Sequence, residues 1–143
     1  MKTETLWSRN LDEWETPQDF YERIDNEFHF NLDPCSTDEN HKTMLYYTKQ
    51  QDGLKQPWGG CRVWCNPPYS NVKAWVRKAY NEARHPNTLI VMLLPARTDT
   101  KWFQDYVLHR SEVRFIRGRL KFSNAKNNAP FPSMLVIFRA AGV

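Results

Sequence analysis

The chain has 143 residues, of which 41% are hydrophobic, 25% charged and 14% aromatic, a balance that fits one globular domain over residues 1–143 and excludes a disordered or repetitive chain. No apolar run approaches the roughly 20 residues needed to cross a bilayer, and the Met1-Lys2-Thr3-Glu4 start lacks the apolar segment of a secretion signal, so a cytoplasmic protein with no membrane partner is expected. A net charge of +4 favours polyanionic partners without naming one, while the irregular spacing of Cys35, Cys61 and Cys65 suits a reducing compartment better than a disulfide framework or a zinc site.

Residues 1–13 are polar and lack a sustained period, which reads as a loose arm. Thr16 and Pro17 then read as the N-cap and first position of a helix from Pro17 to Glu27, with Phe20, Ile24 and Phe28 on its buried face. Phe28 to Asp33 alternates as a strand that Pro34-Cys35-Ser36-Thr37 ends. Asp33 is then either a turn-forming side chain or a ligand group at the carboxyl end of a strand. Residues 38–60 are polar and turn-rich, too poor in apolar positions for a second complete β-α unit, and Asp52-Gly53 is by itself a turn signal.

Cys61-Arg62-Val63-Trp64-Cys65 is the next strand, and Asn66-Pro67-Pro68-Tyr69 follows it directly. Two consecutive prolines have fixed φ and no N–H, so the carbonyls around them cannot join a regular ladder and stay free as acceptors. Asn66 adds a side-chain carbonyl and Tyr69 an aromatic face. Together they suit a planar amine held by two hydrogen bonds with its ring stacked, as in a flipped-out nucleobase.

Val72, Trp75, Val76 and Ala79 recur at helical spacing, with Ser70 or Asn71 as the cap, and Lys73, Arg77 and Lys78 read as a solvated face. Thr88 to Leu94 is a continuous apolar run, the mark of a strand buried on both faces. Arg97 beyond it either holds a substrate phosphate or carboxylate or pairs with Asp99 or Asp105. Trp102-Phe103 and Tyr106-Val107 mark a further helix, capped by Asp99 or Thr100. Val113–Arg117 and Ser133–Phe138 read as an antiparallel hairpin. Its connection, residues 118–132, is too long for mere closure; Arg119, Lys121 and Lys126 can meet phosphates there, and Phe122 and Phe131 can pack or stack.

Taken with Trp14-Glu15-Thr16-Pro17, Leu32-Asp33-Pro34-Cys35, Asp52-Gly53-Leu54, the run from Leu93 to Thr100 and Gly118-Arg119-Leu120-Lys121-Phe122, the Asn66-Pro67-Pro68-Tyr69 loop resembles that of the short phage-type DNA N-6-adenine methyltransferases. The resemblance implies an α/β chain with a reduced Rossmann-like, S-adenosylmethionine-dependent methyltransferase fold. Its sheet is expected to be mostly parallel, with helices on both faces and a C-terminal antiparallel hairpin. The implied reaction moves a methyl group from S-adenosyl-L-methionine to the exocyclic N6 amine of adenine in DNA, without a metal.

The resemblance also implies roles for particular residues. Asn66, Pro67, Pro68 and Tyr69 form the catalytic loop. Thr16 and Pro17 lie near the methionine part of the cofactor, Asp33, Pro34 and Cys35 form the first cofactor block with Asp33 facing the α-ammonium group, and Asp52 contacts the cofactor's adenine amine. Arg97, Arg119 and Lys121 are directed to DNA, and Phe122 walls the target-base pocket. The glycine-rich turn that usually follows the first acidic residue is missing, and the acid for the ribose hydroxyls is not identifiable beyond the candidates Asp38 and Glu39. The same loop type also serves methyltransferases of RNA guanine amines and of protein glutamine amides, and a degenerate cofactor site would leave a DNA-binding protein without catalysis.

Overall fold

Leu89–Pro95 is buried at every position, as a strand covered on both faces must be. It lies at the centre of the sheet. The computed structural model describes residues 12–143, and its strands are β1 (Leu32–Asp33), β2 (Leu45–Tyr46), β3 (Arg62–Cys65), β4 (Leu89–Pro95), β5 (Glu112–Phe115) and β6 (Ser133–Arg139), with helices α1 (Gln18–Phe28) and α2 (Val72–Glu82). They form one six-stranded sheet in the order β2-β1-β3-β4-β6-β5. The first four strands are parallel to one another, whereas β6 runs antiparallel to both β4 and β5.

Alternation along the strands divides the core into two layers. Val63, Cys65, Ile90, Met92 and Leu94 point to the face covered by Val72, Trp75, Val76 and Ala79 of α2. Trp64, Val91 and Leu93 point the other way, onto Phe20, Tyr21 and Phe28 of α1. Helices therefore cover both faces, and the carboxyl ends of β1, β3 and β4 share one edge.

Local expectations shift in several places. Helix α1 starts at Gln18 with Pro17 extended at the N-cap position and no side-chain cap bond, because the Thr16 hydroxyl is engaged by Asn66 instead. The helix runs on through Phe28 and stops at His29, which is left-handed and whose N–H bonds to Asp25 O. Asp25 also accepts from the Phe30 N–H at 2.7 Å. The expected strand from Phe28 thus shrinks to Leu32–Asp33, and the stretch read as turn-rich contributes the short parallel strand β2. Asn71 makes no side-chain cap bond, since α2 is entered through a 3-10 turn at Tyr69–Asn71.

The helix expected around Trp102 to Val107 widens into a π-helical turn, Phe103–Val107, in which the Leu108 N–H reaches Phe103 O at 2.9 Å. Thr100 Oγ1 accepts the Phe103 N–H at 3.3 Å. Residues 12 and 13, read as part of a loose arm, are tied down: Asp12 accepts the Ser70 N–H at 2.9 Å and Glu13 pairs with Lys49 at 2.9 Å. The remainder of that arm lies outside the described residues. No described helix is long and apolar enough to cross a membrane.

Candidate active site

A cavity of about 300 Å³ opens at the carboxyl edge of the parallel strands, near the lower end of the size range of small-molecule sites. The ends of β1 and β3 supply Asp33, Pro34, Cys35, Asn66, Pro67 and Pro68, the turn after β2 supplies Thr48, Asp52 and Gly53, and residues 13–16 close the front. Gly53 is needed where two walls meet, because a Cβ there would stand 2.0 Å from Pro34 O.

Charge in the cavity opposes the charge of the chain as a whole. Four carboxylates line it, Glu13, Glu15, Asp33 and Asp52, against two ammonium groups, Lys42 and Lys49. Asp33 is only 4% exposed. Burial raises its pKa to about 6, opposed by hydrogen bonds from the Lys42 and Cys35 N–H groups and by the Lys42 and His41 charges. The Lys42 N–H reaches Asp33 Oδ2 at 2.9 Å. The Lys42 ammonium donates to Thr16 O at 3.1 Å and Gln18 Oε1 at 2.8 Å. Burial lowers its pKa and Asp33 opposes the shift. Asp33 and Lys42 thus place opposite charges in one wall, the complement of an amino-acid zwitterion.

Asn66 gives the site its polarity. Its Nδ2 donates to Trp14 O and, at 2.9 Å, to Thr16 Oγ1. Among the described residues its Oδ1 is buried without a partner, so a strong acceptor stays unsatisfied beside the cavity. Of the two proline carbonyls, that of Pro68 accepts the Asn71 N–H at 3.1 Å, while that of Pro67 accepts no bond among the described residues. The free pair of acceptors is therefore Asn66 Oδ1 and Pro67 O.

Tyr69 sits among aromatic rings, with Trp14 stacked at 6.5 Å and Phe131 edge-on at 5.4 Å. Its hydroxyl is buried without a partner among the described residues, and burial pushes its pKa up against the opposing charge of Arg97. Phe122, 1% exposed, packs on Trp14 at 5.3 Å. Arg97, Arg119 and Lys121 are exposed and do not line the cavity. Arg97 forms no ion pair with Asp99 or Asp105.

The structure thus brings Thr16, Asp33, Pro34, Cys35, Asp52, Asn66, Pro67 and Pro68 to one cavity, while Pro17 lies outside its lining. Lys42, Lys49 and Glu13 were missed, because a charged residue in a polar turn carries no periodic signal. Asp38 and Glu39 do not line the cavity; Asp38 accepts from the Tyr46 hydroxyl at 2.8 Å.

Comparison with known proteins adds a family. The profile described as DNA N-6-adenine-methyltransferase (Dam) matches residues 2–141. A curated protein of Haemophilus phage HP1 (strain HP1c1) named DNA N-6-adenine-methyltransferase is 34% identical over 137 residues, covering 89% of this chain and 78% of the relative. A protein of the same name from Escherichia phage T1 is 33% identical over 111 residues, covering 76% of this chain and 46% of the relative, so that this chain spans about half of it.

Proposed function

This chain belongs to the DNA N-6-adenine-methyltransferase (Dam) family, and from that premise we propose that it transfers the methyl group of S-adenosyl-L-methionine to the exocyclic N6 amine of adenine in DNA. The observation that carries the reading is that, among the described residues, the buried Asn66 Oδ1 has no partner and the carbonyl of the following Pro67 accepts no bond. An exocyclic amine has two N–H groups, and these are the two acceptors it needs. The sheet order and the cavity at the strands' carboxyl edge support a reduced Rossmann-like methyltransferase fold.

The donor set fits the cofactor. A cavity with four carboxylates and two ammonium groups suits a cationic ligand and disfavours phosphates. Asp33 would hold the α-ammonium group and Lys42 the α-carboxylate, with Thr16, Pro34, Cys35 and Asp52 along the walls and Pro17 fixing the turn that follows Thr16. When bound, S-adenosyl-L-methionine supplies a methyl group on a sulfonium centre.

Asn66 Oδ1 and Pro67 O accept the two N–H bonds of the target amine and fix its plane. They also stabilise the positive charge that develops on the nitrogen, with no covalent link between enzyme and base. Pro68 keeps the loop extended, and Tyr69 stacks on the extruded base once its aromatic neighbours yield a face. Phe122 supports that aromatic wall from within the core. Arg97, Arg119 and Lys121 are exposed cations for the DNA backbone.

Labelled methyl transfer to unmethylated DNA, to RNA and to protein, run side by side, tests the reading. The expected product is N6-methyladenine in DNA, with Asn66→Ala slower by about 10²–10³-fold in single turnover, by analogy with loss of one preorganised hydrogen bond. Label confined to RNA or protein, or an Asn66→Ala variant as fast as the parent, overturns it.

A further inference from the structure

We propose that residues 13–16 form a positioning strap that sets which end of the Asn66 amide faces the substrate, with Thr16 as the positioning residue and Asn124 as the clamp. Successive carbonyls of an extended segment point to opposite sides. Glu13 and Glu15 face the connection between β5 and β6: Asn124 Nδ2 donates to Glu13 O at 2.7 Å, Asn124 Oδ1 accepts the Glu15 N–H at 3.0 Å, and the Ser123 N–H reaches Glu15 O at 2.9 Å. Trp14 and Thr16 face inward. Trp14 O and Thr16 Oγ1 take the Asn66 Nδ2 protons, and Thr16 O takes the Lys42 ammonium.

An asparagine amide can present either its oxygen or its nitrogen to a ligand, and only the oxygen can accept an amine N–H. Turning the Asn66 amide over would set Oδ1 against the Trp14 carbonyl, acceptor against acceptor, inside a buried site. The strap therefore leaves Oδ1 as the free end. Asn124 is fixed by the same logic, since its oxygen meets an N–H and its nitrogen a carbonyl. The residue that clamps the strap lies in the same connection as Arg119, Lys121 and Lys126. Displacement of that connection thus reaches the catalytic amide through two hydrogen-bonded steps. The inference rests on the reading of Asn66 as the amine-holding group, and it assigns Thr16 a task apart from lining the cofactor cavity.

The test compares Thr16→Val, which keeps the shape and removes the hydroxyl, with Thr16→Ser, which keeps the hydroxyl, and adds Asn124→Ala. Three quantities are read: the single-turnover rate at saturating cofactor and DNA, cofactor affinity by calorimetry, and the Asn66 side-chain amide signals by NMR. Thr16→Val is expected to slow single turnover by about 10- to 100-fold, the scale of a small misplacement of a reacting group. Cofactor affinity is read separately because Thr16 also lines the cofactor cavity; the Asn66 amide signals should shift and exchange faster, and Thr16→Ser should restore both rate and signals. Asn124→Ala should move rate and signals in the same sense by a smaller amount, without touching the cavity lining. Thr16→Val with unchanged Asn66 signals, or with weakened cofactor binding and a parental rate at saturation, overturns the inference while leaving the proposed reaction intact. A parent that methylates no adenine overturns the reaction, and the NMR comparison still decides the strap.

Discussion

Replacing Asp33 by Asn should change how stability depends on pH, by an amount that follows from its burial. An ordinary aspartate titrates at 3.8, whereas burial holds Asp33 at about 6 in the folded chain. Its folded pKa lies above its unfolded one, so the native state binds the extra proton between those values and loses stability as pH rises through about 6. The difference is worth about 3 kcal/mol. Urea unfolding of the ligand-free parent and of Asp33→Asn, from about pH 4 to pH 7, isolates the effect because other titrations cancel in the difference. The parent should lose about 2–2.5 kcal/mol relative to the variant across that window, the rest of the difference falling below pH 4. Binding of an ammonium group to the Asp33 carboxylate works in the opposite sense: cofactor affinity should be full above pH 6 and fall about tenfold per pH unit below it. A parent-minus-variant difference that is flat with pH refutes the burial argument, and affinity flat through pH 6 refutes the assignment of Asp33 to the ammonium group.

Lys42→Met should weaken S-adenosyl-L-methionine by about 1.5–3 kcal/mol, the worth of a hydrogen bond to a charged group, yet leave the decarboxylated analogue little affected; calorimetry with both ligands checks it. Tyr69→Ala should cost about 1–3 kcal/mol in productive DNA binding, seen in the DNA dependence of the rate while the rate at saturation is retained. Phe122→Ala, at a site 1% exposed, should destabilise the fold by about 3–5 kcal/mol in denaturant unfolding, as deletion of a buried ring does.

Legibility followed the range of each signal. Val72, Trp75, Val76 and Ala79 announce α2, and the apolar run into Leu94 announces β4, because burial on one face or both leaves a period in the text. Strand β2 has only two residues, half exposed, and leaves none. Within the site, Asn66 and Asp33 stand at strand ends beside prolines, where a local pattern exists. The roles of Lys42 and Asn124 come from partners at sequence separations of 24 and 26 for Lys42 and 109 and 111 for Asn124, which no local window contains. Thr16 was legible as a polar residue before a helix, but its neighbour Pro17 takes the N-cap position and its hydroxyl turns instead to Asn66, a tertiary contact overriding a local preference.

The placement of β6 between β4 and β5 governs the order in which the protein can become competent as it is synthesised. Strand β5 emerges before β6 but pairs within the sheet only through it, so a nascent chain ending at β5 carries an open β4 edge and an unplaced strand. Long-range pairings of this kind are slow to form and leave edges open to wrong partners meanwhile. The connection that bears Asn124 is anchored only when β6 inserts, and residues 13–16 acquire their clamp at that same moment. A partial chain reaching β4 already contains Asp33 and Asn66, together with the ties from Lys42, Lys49 and Ser70 to residues 12–16, but it lacks the Asn124 clamp. The strap is thereby fully clamped only in molecules whose late strand has been threaded home.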